Sequence, residues 1–120
     1  MVDASQTVKK WSIYWIMLDP VAGSEQAGIR PCLVVSNDIV NDLLPVITVL
    51  PLSSVRNTNR IYPTEVFLAK NLSTLPKDSV VMVHQIRTIA KQRIRTHCGW
   101  IDDNFIRDKI NDVMRSYFEI

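Results

Sequence analysis

Residues 11 to 18 read Trp-Ser-Ile-Tyr-Trp-Ile-Met-Leu, and in an extended strand, where successive side chains alternate, both faces of this run are apolar. A half-exposed strand alternates apolar with polar residues. This run therefore implies a strand covered on both sides, or one that closes a small barrel. Asp19-Pro20 ends it. At 120 residues the chain suits one domain spanning 1 to 120, with a single core and no room for a second catalytic unit.

The rest of the chain fits that frame. Val21 to Arg30, with Gly23 and Gly28 among polar residues, reads as a loop that can bring backbone close to a ligand. Pro31 to Val35 is a short buried strand, and Asn37 to Leu44 one or two helical turns capped by Asn37. Val46 to Leu52 is a strand interrupted by Pro51 at a bulge or edge, and the six prolines are expected at segment edges. Val55 to Tyr62 is polar and turn-rich, Thr64 to Leu68 a short strand, and Asn71 to Lys77 a connection.

Ser79 to Ile89 is a long β-branched run. As one strand it would set Val81, Val83, Gln85 and Arg87 on one face and Val80, Met82, His84, Ile86 and Thr88 on the other. From Asp102 to Phe118 the spacing predicts a helix whose apolar stripe is Ile106, Ile110, Val113, Met114, Tyr117 and Phe118, with Asp102 and Asp103 suited to its positive end. Several short strands and one firm terminal helix imply a mainly β fold with α: a small, bent antiparallel sheet or barrel with a C-terminal helix against it.

The net charge of +2 is unevenly spread. Residues 53 to 98 hold eight Lys/Arg against Glu65 and Asp78, whereas each flanking segment holds three Lys/Arg against five acids. A basic middle in a near-neutral chain suggests a local anionic partner, with nucleic acid foremost, unless the charges are spread over several solvated faces. The polar start, Met1 to Thr7, lacks the pattern of a secretory signal, and no apolar run reaches membrane-spanning length. A cytoplasmic protein is expected, with Cys32 and Cys98 as reduced thiols.

Most of the usual catalytic groups are missing. His84 and His97 have no partner at metal-ligand spacing, and neither an HExxH, a GxSxG nor a glycine-rich phosphate loop occurs. Asp102-Asp103 reads as a helix cap rather than a metal pair. No metal or cofactor is expected. What remains is the polar loop that ends in Arg30-Pro31. Pro31 biases Arg30 towards extended backbone, and a guanidinium fork can hold two phosphate oxygens and stabilise charge developing on them. The residues alone leave two readings: an anion site, or a surface arginine paired with Glu25.

The string DPVAGSEQAGIRPCLVVSND, Asp19 to Asp38, resembles the signature DL-x-P-x-x-G-S-E-Q-x-G-x-R-P-x-L-V-[VI]-S of the MazF/PemK toxins. DSVVMVHQIRTIAKQRI, Asp78 to Ile94, is similar to that family's D-S-V-V-L-x-x-Q-I-R-T-I-D-K-x-R-L, and Gly99 to Phe118 to its terminal G-x-[IL]-D-D and amphipathic helix. The resemblance implies an SH3-like bent sheet, a homodimer, and metal-independent, sequence-selective cleavage of single-stranded RNA, usually mRNA. It also implies an antitoxin whose disordered acidic tail occupies the RNA groove. Arg30 would be the catalytic arginine. The family's Pro-[IL]-Thr reads Pro51-Leu52-Ser53 here, so Ser53 takes the threonine's place and keeps its hydroxyl. The opening Arg-Gly-[DE] is Lys10-Trp11-Ser12.

The same resemblance implies RNA contacts from Ser24, Glu25 and Gln26, and from Gln85 and Arg87 unless these two mainly brace the loop. His84 is expected to pack on the far face of its strand, acid–base catalysis being the other reading. Trp11, Trp15 and Trp100 are expected in the core, base stacking being the other possibility. Two rival functions remain. One is a member that has lost cleavage and survives as an RNA- or antitoxin-binding module. The other is a gyrase-binding toxin of the same fold, although those end in Trp-Gly-Ile where this chain has Phe118-Glu119-Ile120.

Overall fold

A computed structural model describes residues 7–55 and 61–120. Seven strands and two helices follow in the order β1 (Ser12–Met17), β2 (Ile29–Val34), α1 (Asp38–Leu43), β3 (Val46–Ser54), β4 (Glu65–Leu68), β5 (Ser79–Met82), β6 (Arg87–Ala90), β7 (Ile94–Trp100) and α2 (Asn104–Phe118). The strands form one antiparallel sheet in the order β4-β5-β3-β2-β1-β7, with β6 also paired to β3. This is the mainly β sheet with a C-terminal helix that the periodicity implied.

Both faces of the central strands are buried. Ile13, Leu33, Leu50 and Leu52 enter one core cluster together with Ile106 and Ile110 of α2. Tyr14, Ile16, Cys32, Val34 and Val49, alternating with them, enter a second cluster with Ile89 and Ile94. An isolated sheet cannot bury two faces, so it bends: the α2 side closes one face, and β6 with β7 helps close the other.

Prolines 31 and 51 lie inside strands rather than at segment edges, and the pairing explains both. β3 pairs with β6 through Val49 and with β5 from Leu52 onward. Pro51 sits at this change of partner, where a missing N–H breaks no ladder bond on that side. Pro31 pairs with Trp15 on β1 but lies just beyond the β2–β3 ladder, which ends at Cys32.

The run from Ser79 to Ile89 is not one strand. It divides into β5, a 3₁₀ turn over Val83–Gln85, and β6. β-branched residues favour extended backbone, but β5 and β6 serve different stretches of β3, and the turn makes the step between them.

α1 begins as expected, Asn37 accepting the N–H groups of Ile39 and Val40. α2 starts at Asn104 rather than Asp102 because Asp103 is the cap, its carboxylate accepting the Ile106 N–H at 2.9 Å. Ile106 and Ile110 are buried and Val113 and Met114 pack beside them, but Tyr117 and Phe118 are exposed. The stripe thus leaves the core before the helix ends.

Candidate RNA-cleavage site

The loop between β1 and β2 is closed at its base by Gly28. Its carbonyl accepts the Leu18 N–H at 2.9 Å, and its own N–H donates to Asp19 Oδ1 at 3.1 Å. Gly28 has φ +77° and Gly23 φ +56°, backbone that an L side chain strains to adopt, which accounts for two glycines in ten residues. Glu25 turns back on the loop, accepting the Ala22 N–H at 2.6 Å, so it does not pair with Arg30.

Three side chains from much later in the sequence hold this loop. Gln85 accepts the Gln26 N–H at 3.3 Å and donates through Nε2 to the Ser24 carbonyl at 3.2 Å. Arg87 donates to the Leu18 carbonyl at 3.1 Å. Arg93 donates to the carbonyls of Met17 and Asp19. Bracing is therefore a role of both Gln85 and Arg87. They do converge on one side, but the 3₁₀ turn, not strand alternation, brings them there.

Arg30 lies on β2, half-buried, its Nε–H donating to the Ala27 carbonyl at 3.0 Å. It lines an open groove with Trp15, Ala27, Ile29, Leu52 and Ser54. β2 and β3 pair in the register Cys32↔Pro51. Continued two residues past that last pair, the register sets Arg30 against half-buried Ser53, which pairs on its other side with Val80. Arg87 shares this neighbourhood. The buried Cys32 thiol is pushed up to about 12 by desolvation, against the pull of the nearby Arg87 and Arg30 charges.

A second, smaller cavity lies beside the groove, walled by Glu25 and Gln26 on the loop and by His84, Gln85 and Arg87 on the turn and β6, with Pro51 and Ile86 as apolar surfaces. Ser24 stays exposed on the loop. His84 does not pack on the far face. It is exposed and shares a wall with Gln85, because the 3₁₀ turn replaces the two-residue repeat of a strand. Residue type alone did not single out Arg93 and Asp19, although both stand inside the two family-like motifs. Their roles depend on contacts made across the fold.

The tryptophans divide. Trp11 is buried, whereas Trp15 and Trp100 are 39% and 38% exposed, so only the first is fully a core residue. Trp11 has φ +76° where the motif has glycine. Its ring packs into the α2-side core and under Lys10 and Arg107, whose charged groups lie 5.2 and 5.4 Å from its centroid. Among the described residues no group of three or more His, Cys, Asp or Glu is arranged to hold a metal ion, and no helix is long and apolar enough to cross a membrane. Of the segment Val55 to Tyr62, residues 56–60 lie outside the described residues.

Residues 9–116 match the family described as PemK-like, MazF-like toxin of type II toxin–antitoxin system. The chain belongs to this family. It is 36% identical over 108 residues to Endoribonuclease EndoA of Bacillus subtilis, covering 90% of this chain and 91% of that one. Its fold is similar to that of MazF from Deinococcus radiodurans, with a TM-score of 0.80, 22% identity and coverage of 96% and 99% of the two chains. A mycobacterial endoribonuclease solved in complex with its cognate antitoxin is also similar, with a TM-score of 0.75, 21% identity and coverage of 94% and 96%. Within the family's shared fold, the loop, the groove with Arg30 and the side cavity lie together at one end of the sheet.

Proposed function

We propose that the chain is an endoribonuclease toxin that cuts single-stranded RNA at selected sequences without a metal, and that a cognate antitoxin restrains it. The observation that supports this reading is Arg30 in an open groove beside a braced, glycine-hinged loop, with Ser53 opposite it on β3 when the β2–β3 register is continued two residues past Cys32↔Pro51. An arginine with an adjacent hydroxyl suits phosphoryl chemistry that uses the substrate's own nucleophile.

The ribose 2′-oxygen attacks the adjacent phosphorus, a new P–O bond forms, and the bond to the 5′-oxygen of the next nucleotide breaks. The products are a 2′,3′-cyclic phosphate and a 5′-hydroxyl. Arg30 stabilises the charge on the non-bridging oxygens, and Ser53 hydrogen-bonds the phosphate or the reacting 2′-oxygen and helps relay its proton. DNA lacks the 2′-hydroxyl and is left whole. Ser24, Glu25, Gln26, Gln85 and Arg87 contact the RNA along the loop and side cavity. Unpaired bases fit such a surface better than a duplex does.

Trp15 and Ile29 expose apolar surface beside Arg30, which supports a homodimer in which a second copy covers part of this face. The antitoxin's acidic disordered tail takes the same groove. Both act in the cytoplasm. Incubation with a mixed-sequence single-stranded RNA in EDTA tests the reading. Discrete cuts with cyclic phosphate ends, lost in Arg30→Ala, support it. Binding without cutting in any sequence context would replace it with a binding module.

A further inference from the structure

In the side cavity, each end of the Gln85 amide already holds the loop: Oε1 takes the Gln26 N–H and one Nε2–H gives to the Ser24 carbonyl. His84 differs. Its Nδ1 lies 2.9 Å from Thr64 Oγ1, a contact that orients the ring, and among the described residues Nε2 has no hydrogen-bond partner. On the loop wall, Gln26 Oε1 is buried with no hydrogen-bond partner among the described residues, an unfavourable state that a donor brought by a ligand would relieve. The cavity and the Arg30 groove share no lining residue, so His84 stands beside the proposed scissile phosphate rather than at it.

The wall chemistry selects the ligand. Glu25 disfavours a phosphate, and Arg87 gives one of its N–H groups to the Leu18 carbonyl. Pro51 and Ile86 offer apolar surface to a flat ring, and both His84 Nε2 and the Gln26 amide can address its polar edge. We propose that this cavity takes one unstacked base of the RNA and that His84 is a specificity-determining residue that reads it. The base carries an exocyclic amine, as adenine, cytosine and guanine do and uracil does not, and that amine donates to Gln26 Oε1. The inference rests on the RNA reading above and adds to it the base class and the residue that selects it.

The test is selection of a random single-stranded RNA pool on full-length Arg30→Ala protein, which separates binding from cutting, followed by sequencing of the bound fraction. The expected result is depletion of uracil at one position by roughly tenfold. Adding His84→Ala flattens that position and leaves the others unchanged, and His84→Gln, which keeps a donor and an acceptor, restores part of the preference. An unchanged profile in Arg30→Ala/His84→Ala, a preference for uracil, or no bound pool overturns the inference. Mapping of wild-type cuts separates the two claims. Cuts together with an unchanged profile sink only the role of His84, whereas a His84-dependent profile without cuts sinks only the nuclease.

Discussion

The Gln26 N–H donates to Oε1 of Gln85 across 3.3 Å, joining positions 59 residues apart, and the same amide returns a bond to Ser24. One side chain thus holds the loop at two points. In Gln85→Ala both bonds are lost, but the site is only part-buried. Thermal stability is expected to change by no more than about 1–2 kcal/mol. RNA cleavage is expected to fall about tenfold through loss of positioning. Faster hydrogen exchange at the Gln26 amide should accompany that fall. Unaltered exchange would show that the loop holds its shape without Gln85.

Ser53 tests the hydroxyl. Ser53→Ala should lower the cleavage rate by about ten- to a hundredfold while leaving the fold intact, since one donor near the developing charge is removed. Ser53→Thr keeps the hydroxyl and should cleave at least as fast as the parent. Equal rates for Ala and Ser would remove Ser53 from the mechanism. Single-turnover cleavage of one RNA by the three proteins decides it.

Trp11 sets two effects against each other. Its left-handed backbone costs about 1–2 kcal/mol, which glycine would recover. Losing the buried indole costs about 3–5 kcal/mol. Packing outweighs backbone strain, so Trp11→Gly is expected to be less stable by about 2–3 kcal/mol. Urea denaturation measures the difference, and a more stable variant would show that the strain dominates instead.

Asn41 is fully buried on α1, its Nδ2 donating to the carbonyls of Ser36 at 2.9 Å and Val8 at 3.3 Å and its Oδ1 accepting the Ser36 hydroxyl. Asn41→Leu fills similar space but strands those partners. A loss of about 2–4 kcal/mol is expected, checked by thermal denaturation. A stability equal to the parent's would mean that water replaces the amide.

The two free thiols carry the alkaline pH dependence. Burial pushes Cys32 from its ordinary value of 9.0 up to about 12 and Cys98 to about 11, and it raises Tyr14 in the same direction. The unfolded chain releases these protons first. Their contribution to stability is therefore intact below about pH 9 and is lost as pH rises through the window from about 9 to 12. Urea midpoints should fall across that window, and at pH 8 the native thiols should react with iodoacetamide much more slowly than the unfolded ones. Fast native labelling at pH 8 would contradict the burial.

What was legible in the sequence extends as far as local chemistry reaches. The apolar octad from Trp11 to Leu18 implied a strand buried on both faces, because alternation depends only on neighbouring residues. Asn37 marked the start of α1 for the same reason, and the glycine-rich loop and Arg30-Pro31 stood out because they are contiguous. Neither the orientation of His84 nor the change of strand partner at Pro51 was legible in this way. β-branched residues favour extension everywhere from Ser79 to Ile89, but the change of partner along β3 is made by a turn, and no neighbour of Val83 in sequence announces it.

The sequence by itself determined the loop, the arginine and the family to which they belong, since these reside in contiguous residues. Only the tertiary structure decided what faces what. Arg30 comes to a groove beside β3 through strands paired in three dimensions, and His84 turns towards the loop through a step in the sheet. Arg87 and Arg93 reach backbone carbonyls 69 and 74 to 76 residues earlier. Such contacts depend on how the sheet bends to bury both faces, a property of the whole packed core that no short stretch of sequence carries.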